Sequence, residues 1–192
     1  MPLRLVTPPA FEPITLDDAK AHCRVDNDAQ DLLLGSLIVA ARACIEELTA
    51  RKMAVQTWEL LLDAFPWRDD VAIRLPLAPV REVVSITYID EAGAEQTWEA
   101  AQYVVDSDTA PGRIFPAHDF CYPSTEERPN AVTVRFTVGY QDDIDSPSPP
   151  PEEDVPEPLR QAMLLKVQEL YDGKLLTNTI ESLCAPYKLW GF

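Results

Sequence analysis

Residues 34–62, LGSLIVAARACIEELTARKMAVQTWELLL, contain the change of hydrophobic period that decides the fold. In the first part, apolar side chains recur at helical spacing. These residues are Leu34, Leu37, Ile38, Ala41, Cys44, Ile45 and Leu48. From Gln56 onward the segment TWELLL is short and rich in bulky and branched residues, which is typical of a strand. A long helix that leads into a strand-forming region predicts a protein of the α+β class.

The N-terminal part is predicted to supply two helices of a small bundle. Thr15 opens a capping-box pattern, which predicts a helix over residues 15–24. Asn27, with Gln30 three residues later, is predicted to cap a second and longer helix over residues 28–51.

The region that follows, residues 56–140, is predicted to form a mostly antiparallel sheet inserted into the bundle. Its strand-like segments are short, rich in branched and aromatic residues, and separated by Pro or Gly. They lie at residues 57–62, 71–75, 83–89, 96–98, 103–105, 113–115 and 131–138.

An acidic, proline-rich loop, residues 141–157, separates the sheet from a third helix. Its composition cannot supply a core, so we expect it to be exposed. Its acidic residues are Asp142, Asp143, Asp145, Glu152, Glu153 and Asp154. Pro158 suits the first turn of a helix and Gly173 is a natural stop, which predicts the third helix over residues 158–172.

The C-terminal segment, residues 174–192, is apolar but has no sustained helical or strand period. We therefore predict one folded domain over residues 1–173 followed by an extended arm. An arm of this kind either folds back on its own domain or docks on a partner, and physics alone favours neither. The candidate anchors are its apolar residues Leu183, Tyr187, Leu189, Trp190 and Phe192.

The charge of the chain limits its partners. Thirty-two acidic and sixteen basic side chains give a formal net charge of -16, which disfavours binding to nucleic acid because that affinity comes mainly from Lys and Arg. The acidic surplus fits simple solubility, and it also fits a channel that DNA passes without sticking. Neither a signal peptide nor an apolar run long enough to span a bilayer is present, so we expect a product of the cytoplasm with no membrane contact.

Motifs that carry chemistry are missing, so we expect no cofactor, no metal and no enzymatic activity. Four dispersed cysteines form no CxxC pair, and His118 with Cys121, or His22 with Cys23, falls short of a zinc-ligand pattern. No nucleophile elbow or glycine-rich phosphate loop occurs. The acidic pair Asp69 and Asp70 is better explained as solvated loop charge than as a catalytic or calcium site.

The aromatic residues could suggest a stacking platform for sugars or bases. They are Trp58, Trp67, Tyr88, Trp98, Tyr103 and Tyr140. Most of them fall on predicted strands, so packing in the core is the better explanation.

Several segments, in conserved order along the chain, resemble the phage head-tail connector (adaptor) family found in long-tailed phages, prophages and gene-transfer agents. They are ITLDDAKAHCRVD at 14–26, QTWEL at 56–60, DAFP at 63–66, IRLPLAPV at 73–80, VSITYID at 84–90, YVVD at 103–106, PGRI at 111–114 and PNAVTVRFTVGY at 129–140. No single segment is diagnostic, and their combined order carries the resemblance. This chain departs from the family at Cys23, where Leu is common, and in the length of its acidic loop.

The resemblance implies a structural subunit of a virion or phage-like particle at the head-tail junction. Such subunits form a ring, typically of twelve copies, below the portal protein; the ring extends the DNA channel and presents a docking surface to the next connector, stopper or tail protein. DNA would pass through the lumen without specific binding. In related adaptors the C-terminal segment reaches into the portal, which assigns that role to the arm defined above.

Two other functions stay open at this point. A different head-completion or tail-terminator protein would share the particle but not the fold. A hydrolase with an unrecognised carboxylate site would require titratable groups with perturbed pKa values in a closed pocket.

Overall fold

The computed structural model describes residues 2–140 and 155–189. The fold is α+β, as predicted, and its backbone divides into two compact units. The β unit comprises Met1–Pro8 and Val55–Gly139, and the helical unit comprises Pro9–Ala54 and Tyr140–Phe192.

Among its described residues, the helical unit contains four α-helices, α1 (Leu16–Cys23), α2 (Asp31–Thr49), α3 (Glu157–Asp172) and α4 (Thr177–Cys184), and a 3₁₀ turn at Ala185–Tyr187. Its core is assembled from one face of each helix, because apolar residues three and four positions apart lie on the same side. The fully or nearly buried side chains include Ala19, Leu34, Ile38, Ala41, Ile45, Leu159, Ala162, Met163, Val167, Ile180 and Cys184. Burying each of the larger ones contributes about 1.5–3 kcal/mol.

The capping box predicted at the first helix is present. The Asp18 backbone N–H donates to Thr15 Oγ1 at 3.0 Å, and the Thr15 N–H donates to Asp18 Oδ2 at 3.2 Å. At the end of α3, Gly173 adopts a left-handed φ of 70° and its N–H donates to the Glu169 carbonyl at 2.9 Å. The predicted stop at this glycine is therefore confirmed.

The predicted cap of the second helix was wrong. Asn27 Oδ1 accepts the Ala29 N–H at 3.0 Å, which is a turn two residues long rather than a helix cap. Helix α2 begins later, at Asp31, and Gln30 occupies the cap position without a side-chain hydrogen bond. The side-chain oxygen of Asn27 is engaged by the Ala29 N–H, so it does not cap the first turn of α2.

The C-terminal segment also differs from the prediction of an extended arm, since Thr177–Cys184 is helical. Within this helix only Ile180 and Cys184, one turn apart, are buried in the core of the helical unit. Two buried positions are too few to produce a recognisable period in the sequence.

The β unit contains eight strands in two antiparallel sheets. They are β1 (Leu3–Thr7), β2 (Gln56–Leu62), β3 (Ile73–Leu75), β4 (Val80–Ile89), β5 (Glu95–Trp98), β6 (Tyr103–Asp106), β7 (Gly112–Pro116) and β8 (Val132–Val138). The larger sheet has the order β1-β2-β8-β4-β5, and the smaller has the order β3-β7-β6. Strand β1 was not predicted, because a five-residue run bounded by prolines carries little signal.

One face of the larger sheet covers the core of the β unit. Alternate residues of β8, Val132, Val134 and Phe136, are fully buried, as the two-residue period of a strand requires. Gly112 marks a close approach of the two sheets, because a Cβ there would lie 2.8 Å from Val80 Cγ2.

The aromatic residues divide between core and surface. Phe65 stacks on Tyr122 with ring centroids 5.5 Å apart and meets Trp98 edge-on at 5.3 Å. Trp98 is buried, in agreement with core packing, whereas the Trp67 side chain is 85% exposed in a loop after β2.

Candidate interaction surfaces

The end of the described chain is clasped to the C-terminal end of α2. The Arg51 Nε donates to the Tyr187 carbonyl at 2.8 Å, and Arg51 Nη1 donates to Tyr140 Oη at 3.1 Å. The Leu189 N–H donates to the Thr49 carbonyl at 3.1 Å, a group that the last turn of a helix leaves without an intrahelical partner. These bonds hold the backbone up to Leu189 against the helical unit.

The five candidate anchors of the C-terminal arm therefore fall into two groups. Leu183 and Tyr187 are half-buried and pack on the core of the helical unit, and Leu189 is half-buried beside Thr49. Trp190 and Phe192 lie outside the described residues.

Helix α4 is joined to α3 by a carboxylate. Glu169 Oε2 accepts the Leu176 backbone N–H at 2.6 Å, and Oε1 accepts from Lys166 Nζ at 2.5 Å. The Lys166 ammonium and the Leu176 N–H lower the pKa of Glu169 below its usual range. A charged Glu169 thus fixes the start of α4.

The predicted acidic surface cannot be located, because Asp142, Asp143, Asp145, Glu152, Glu153 and Asp154 all lie outside the described residues.

A buried carboxylate links three strands of the larger sheet. Glu59 on β2 has a side chain that is 2% exposed, and it accepts hydrogen bonds from Arg135 on β8 at 2.9 and 2.6 Å and from Arg4 Nε on β1 at 2.8 Å. Burial raises the pKa of Glu59, but the two guanidinium groups outweigh it and leave the pKa lowered. Two arginines share one carboxylate, so this cluster of three side chains carries one net positive charge.

The larger sheet is open at both edges. No other strand of residues 2–140 and 155–189 pairs with the outer side of β1 or of β5. In β1 every residue after Leu3 is exposed, and in β5 only Trp98 is buried. These edges present unpaired backbone donors and acceptors.

A groove beside α1 is lined by the set of side chains that most resembles an enzyme active site. His22, Cys23, Arg24, Gln168, Asp172 and Lys174 are among the residues that line it. Burial and the nearby Asp172 raise the pKa of the Cys23 thiol, which is the opposite of what an activated nucleophile requires.

The remaining candidate residues are dispersed. Asp69 accepts the Tyr122 N–H at 2.9 Å, Asp70 pairs with Arg68, and His118 lies 3.0 Å from Asp119 on the surface. Within the described ranges, no three His, Cys, Asp or Glu side chains come together as a metal site. No helix among these residues is long and apolar enough to cross a membrane.

Sequence reasoning missed the two features that most define these surfaces. The Arg51 clasp joins residues more than a hundred positions apart and leaves no local pattern. The edge strand β1 had one available signal, the alternation of Leu3, Arg4 and Leu5 between prolines, which resembles an exposed strand.

Comparison with known proteins gives a family and a fold. The family model described as Phage gp6-like head-tail connector protein matches residues 13–108. No curated protein matches the chain in sequence.

Three solved structures are similar over 100% of this chain and 97% of theirs. A chain of the "Virion of native gene transfer agent (GTA) particle" and one of the "Neck of empty GTA particle computed with C6 symmetry" each have 24% identity and a TM-score of 0.79. A chain of the "Neck of native GTA particle computed with C12 symmetry" has 25% identity and a TM-score of 0.74.

Proposed function

The chain belongs to the phage gp6-like head-tail connector family, and from that membership we propose that it forms a ring at the head-tail junction of a phage or gene-transfer-agent particle. In this proposal it is a structural subunit that extends the DNA channel between the portal protein and the next connector, stopper or tail protein. The observation that carries the proposal is the family match together with a full-length likeness to a protein of a gene-transfer-agent neck with C12 symmetry.

Physical features of the subunit support a ring of copies, which we propose to number twelve. A cyclic assembly needs two different surfaces on each subunit that fit one another, since every contact is head-to-tail. The β unit has two different open sheet edges, and a side chain such as Leu32, which is 93% exposed, adds apolar surface to the helical unit.

The portal contact is proposed to involve the C-terminal arm, with Leu183, Tyr187, Leu189, Trp190 and Phe192 as its apolar anchors. The clasp to α2 refines this idea. Because the Leu189 N–H donates to the Thr49 carbonyl, the arm is fixed to the end of α2 as far as Leu189, and we propose that the portal contact begins with the residues after it. Leu183 and Tyr187 would reach a partner in full only if α4 left its own core.

Electron microscopy of particles, or of this protein mixed with its portal, tests the proposed function directly. We expect density for the chain as a closed ring at the narrow end of the portal. Complete particles that lack the protein would overturn the connector role.

The portal contact is tested by a chain that ends at Leu189. Truncation at Gly173 is less informative because it also removes Ile180 and Cys184 from the core. Loss of residues 190–192 should leave the thermal stability unchanged and reduce portal binding, while Lys174→Ala in the full chain, at an exposed residue, serves as the control. Undiminished portal binding by the shortened chain would contradict the role of Trp190 and Phe192.

The acidic surplus is proposed to face the DNA path, where carboxylates would prevent phosphates from adhering. Exchanging Asp142, Asp143 and Asp145 for Asn should slow DNA passage in particles if this loop lines the bore. A bore lined mainly by Lys and Arg in a reconstructed ring would be incompatible with the idea.

A further inference from the structure

The two open edges of the larger sheet are complementary, and we propose that β1 of one subunit pairs with β5 of its neighbour to join copies around the ring. The inference rests on the proposed function and specifies the surface through which copies of the chain meet. Its occupant is a second copy of the same chain.

The outward-facing backbone groups follow from the register of each edge strand. In an antiparallel pair, residues that bond across alternate with residues whose N–H and C=O point away. The Leu61 N–H donates to the Pro2 carbonyl at 3.1 Å, and Leu3 lies opposite Leu60. Leu3 and Leu5 therefore direct their backbone groups to the open edge.

The same argument applies at the other edge. The Asp90 N–H donates to the Ala94 carbonyl at 2.9 Å, and Ile89 lies opposite Glu95. The alternation then turns the backbone groups of Glu95 and Thr97 outward. Each edge thus offers two residues with free donors and acceptors at the same spacing.

Strand β1 has a register shift between Leu5 and Thr7, which limits its regular edge to residues 3–5, and no strand among the described residues covers the outer side of β1 or of β5. On β1 the side chains of Leu5 and Val6 are 44% and 40% exposed. The prolines at positions 2, 8 and 9 limit the length of the strand without blocking its centre. A partner strand would cover these apolar side chains.

The charges on the two edges are opposite. Beside β1, Arg4 and Arg135 share the single carboxylate of Glu59, so one positive charge is left over. Residues 90–99, which form β5 and the turn before it, contain Asp90, Glu91, Glu95 and Glu99 and no Lys or Arg. In a chain of net charge -16 this is an attraction between copies that otherwise repel one another.

The directions of β1 and β5 determine whether the strands of two copies pair in parallel or antiparallel. Four antiparallel steps separate β1 from β5, so both strands run in the same direction and a head-to-tail contact pairs them in parallel. In a parallel ladder Leu5 would bond to Glu95 and Thr97 and lie opposite Gln96. A symmetrical β1-β1 contact would be antiparallel and would close at two copies.

Disulfide cross-linking between copies tests this register. The variant Leu5→Cys/Gln96→Cys, made with the exposed Cys44 and Cys121 replaced by Ser, is assembled with the portal protein and oxidised, and the products are separated on a denaturing gel. A ladder of dimers, trimers and higher multimers is expected, because each copy links to both neighbours. The control Leu5→Cys/Glu91→Cys moves the second thiol to the hairpin turn and should give no ladder.

The outcomes separate the edge pairing from the connector role. Closed rings on portals without a ladder in the first variant would overturn the edge pairing and leave the connector role intact. Dimers from Leu5→Cys alone, with nothing larger, would replace the proposed contact with a symmetrical one. Failure of the unmodified protein to join particles would overturn the connector role and, with it, this inference.

A backbone variant provides a second measurement. Leu5→Pro removes the outward N–H, whereas Leu5→Ala removes the side chain and keeps that donor. Because the register leaves this N–H without a strand partner among the described residues, both variants should melt close to the unmodified protein. Leu5→Pro should occupy the ring about tenfold more weakly than Leu5→Ala, as the loss of one hydrogen bond predicts. Equal occupancy by the two variants would refute the ladder.

Discussion

At the residue scale, Glu59 is the side chain on which the polar face of the larger sheet depends. It joins β1, β2 and β8 through two arginines while almost fully buried. Replacing it with Gln removes the charge and keeps the shape, so we expect the free energy of unfolding to fall by about 1–3 kcal/mol. Chemical denaturation of the subunit measures this.

The control is Glu82→Gln on β4 of the same sheet, where the side chain is exposed, and it should change the stability by less than about 0.5 kcal/mol. The contribution of Glu59 should also depend on pH. Because its folded-state pKa is lowered, the stabilisation is present above the ordinary glutamate pKa and is lost as the pH falls through the folded-state value. A difference in the free energy of unfolding between wild type and Glu59→Gln that stays constant down to acid pH would contradict this role of Glu59.

The thiol of Cys184 reports whether α4 is docked. It is fully buried and its pKa is raised by burial, whereas Cys44 and Cys121 are exposed. We expect maleimide to label the two exposed thiols rapidly and Cys184 only after unfolding. In a variant that retains Cys184 alone, rapid labelling of the folded protein would mean that α4 opens readily.

At the element scale, the first helix depends on its cap. Thr15→Ala removes the acceptor for the Asp18 N–H and should lower the free energy of unfolding by about 1 kcal/mol. Asp17→Asn is the matched control, because Asp17 lies exposed in the same turn and takes no part in the capping box. Thermal denaturation of both variants measures the effect. An equal loss of stability in Thr15→Ala and Asp17→Asn would show that the hydrogen bond of the cap is not its cause.

The sequence predicted elements whose signal is local and repeated. Seven of the eight strands and three of the four helices have periodic or capping patterns, as at Thr15 and Gly173. Helix α4 and strand β1 are short and have few buried positions, so their structure depends on contacts with other elements, such as Glu169 of α3 for α4 and Leu60 of β2 for β1. The role of Asn27 was misjudged because a turn and a cap use the same side-chain oxygen.

The candidate surfaces were harder to predict than the fold. An apolar C-terminal segment was evident from composition, but its clasp to Arg51 and Thr49 is a tertiary contact. The open edges of the sheet became visible only with the strand order, because a sequence does not state which strands lie outermost.

At the scale of the whole molecule, the negative net charge disfavours binding to DNA. With sixteen more acidic than basic side chains, the subunit should not retard duplex DNA in a gel at physiological salt. A basic DNA-binding protein of similar size serves as the positive control. Retardation that weakens steeply with added salt would reveal a basic surface that the overall charge conceals.

The path of the chain through its two units has a genetic consequence. The chain leaves the helical unit at Ala54 and returns to it at Tyr140, and the Tyr140 N–H is bonded to the Lys52 carbonyl at 3.2 Å. The two ends of that excursion therefore meet side by side, so a gene lacking the codons between them would still encode a helical unit without a gap. The region Val55–Gly139 is in this sense an insertion in the helical unit, and exchange of the whole sheet would also require a change at β1, which precedes the helical unit in the chain.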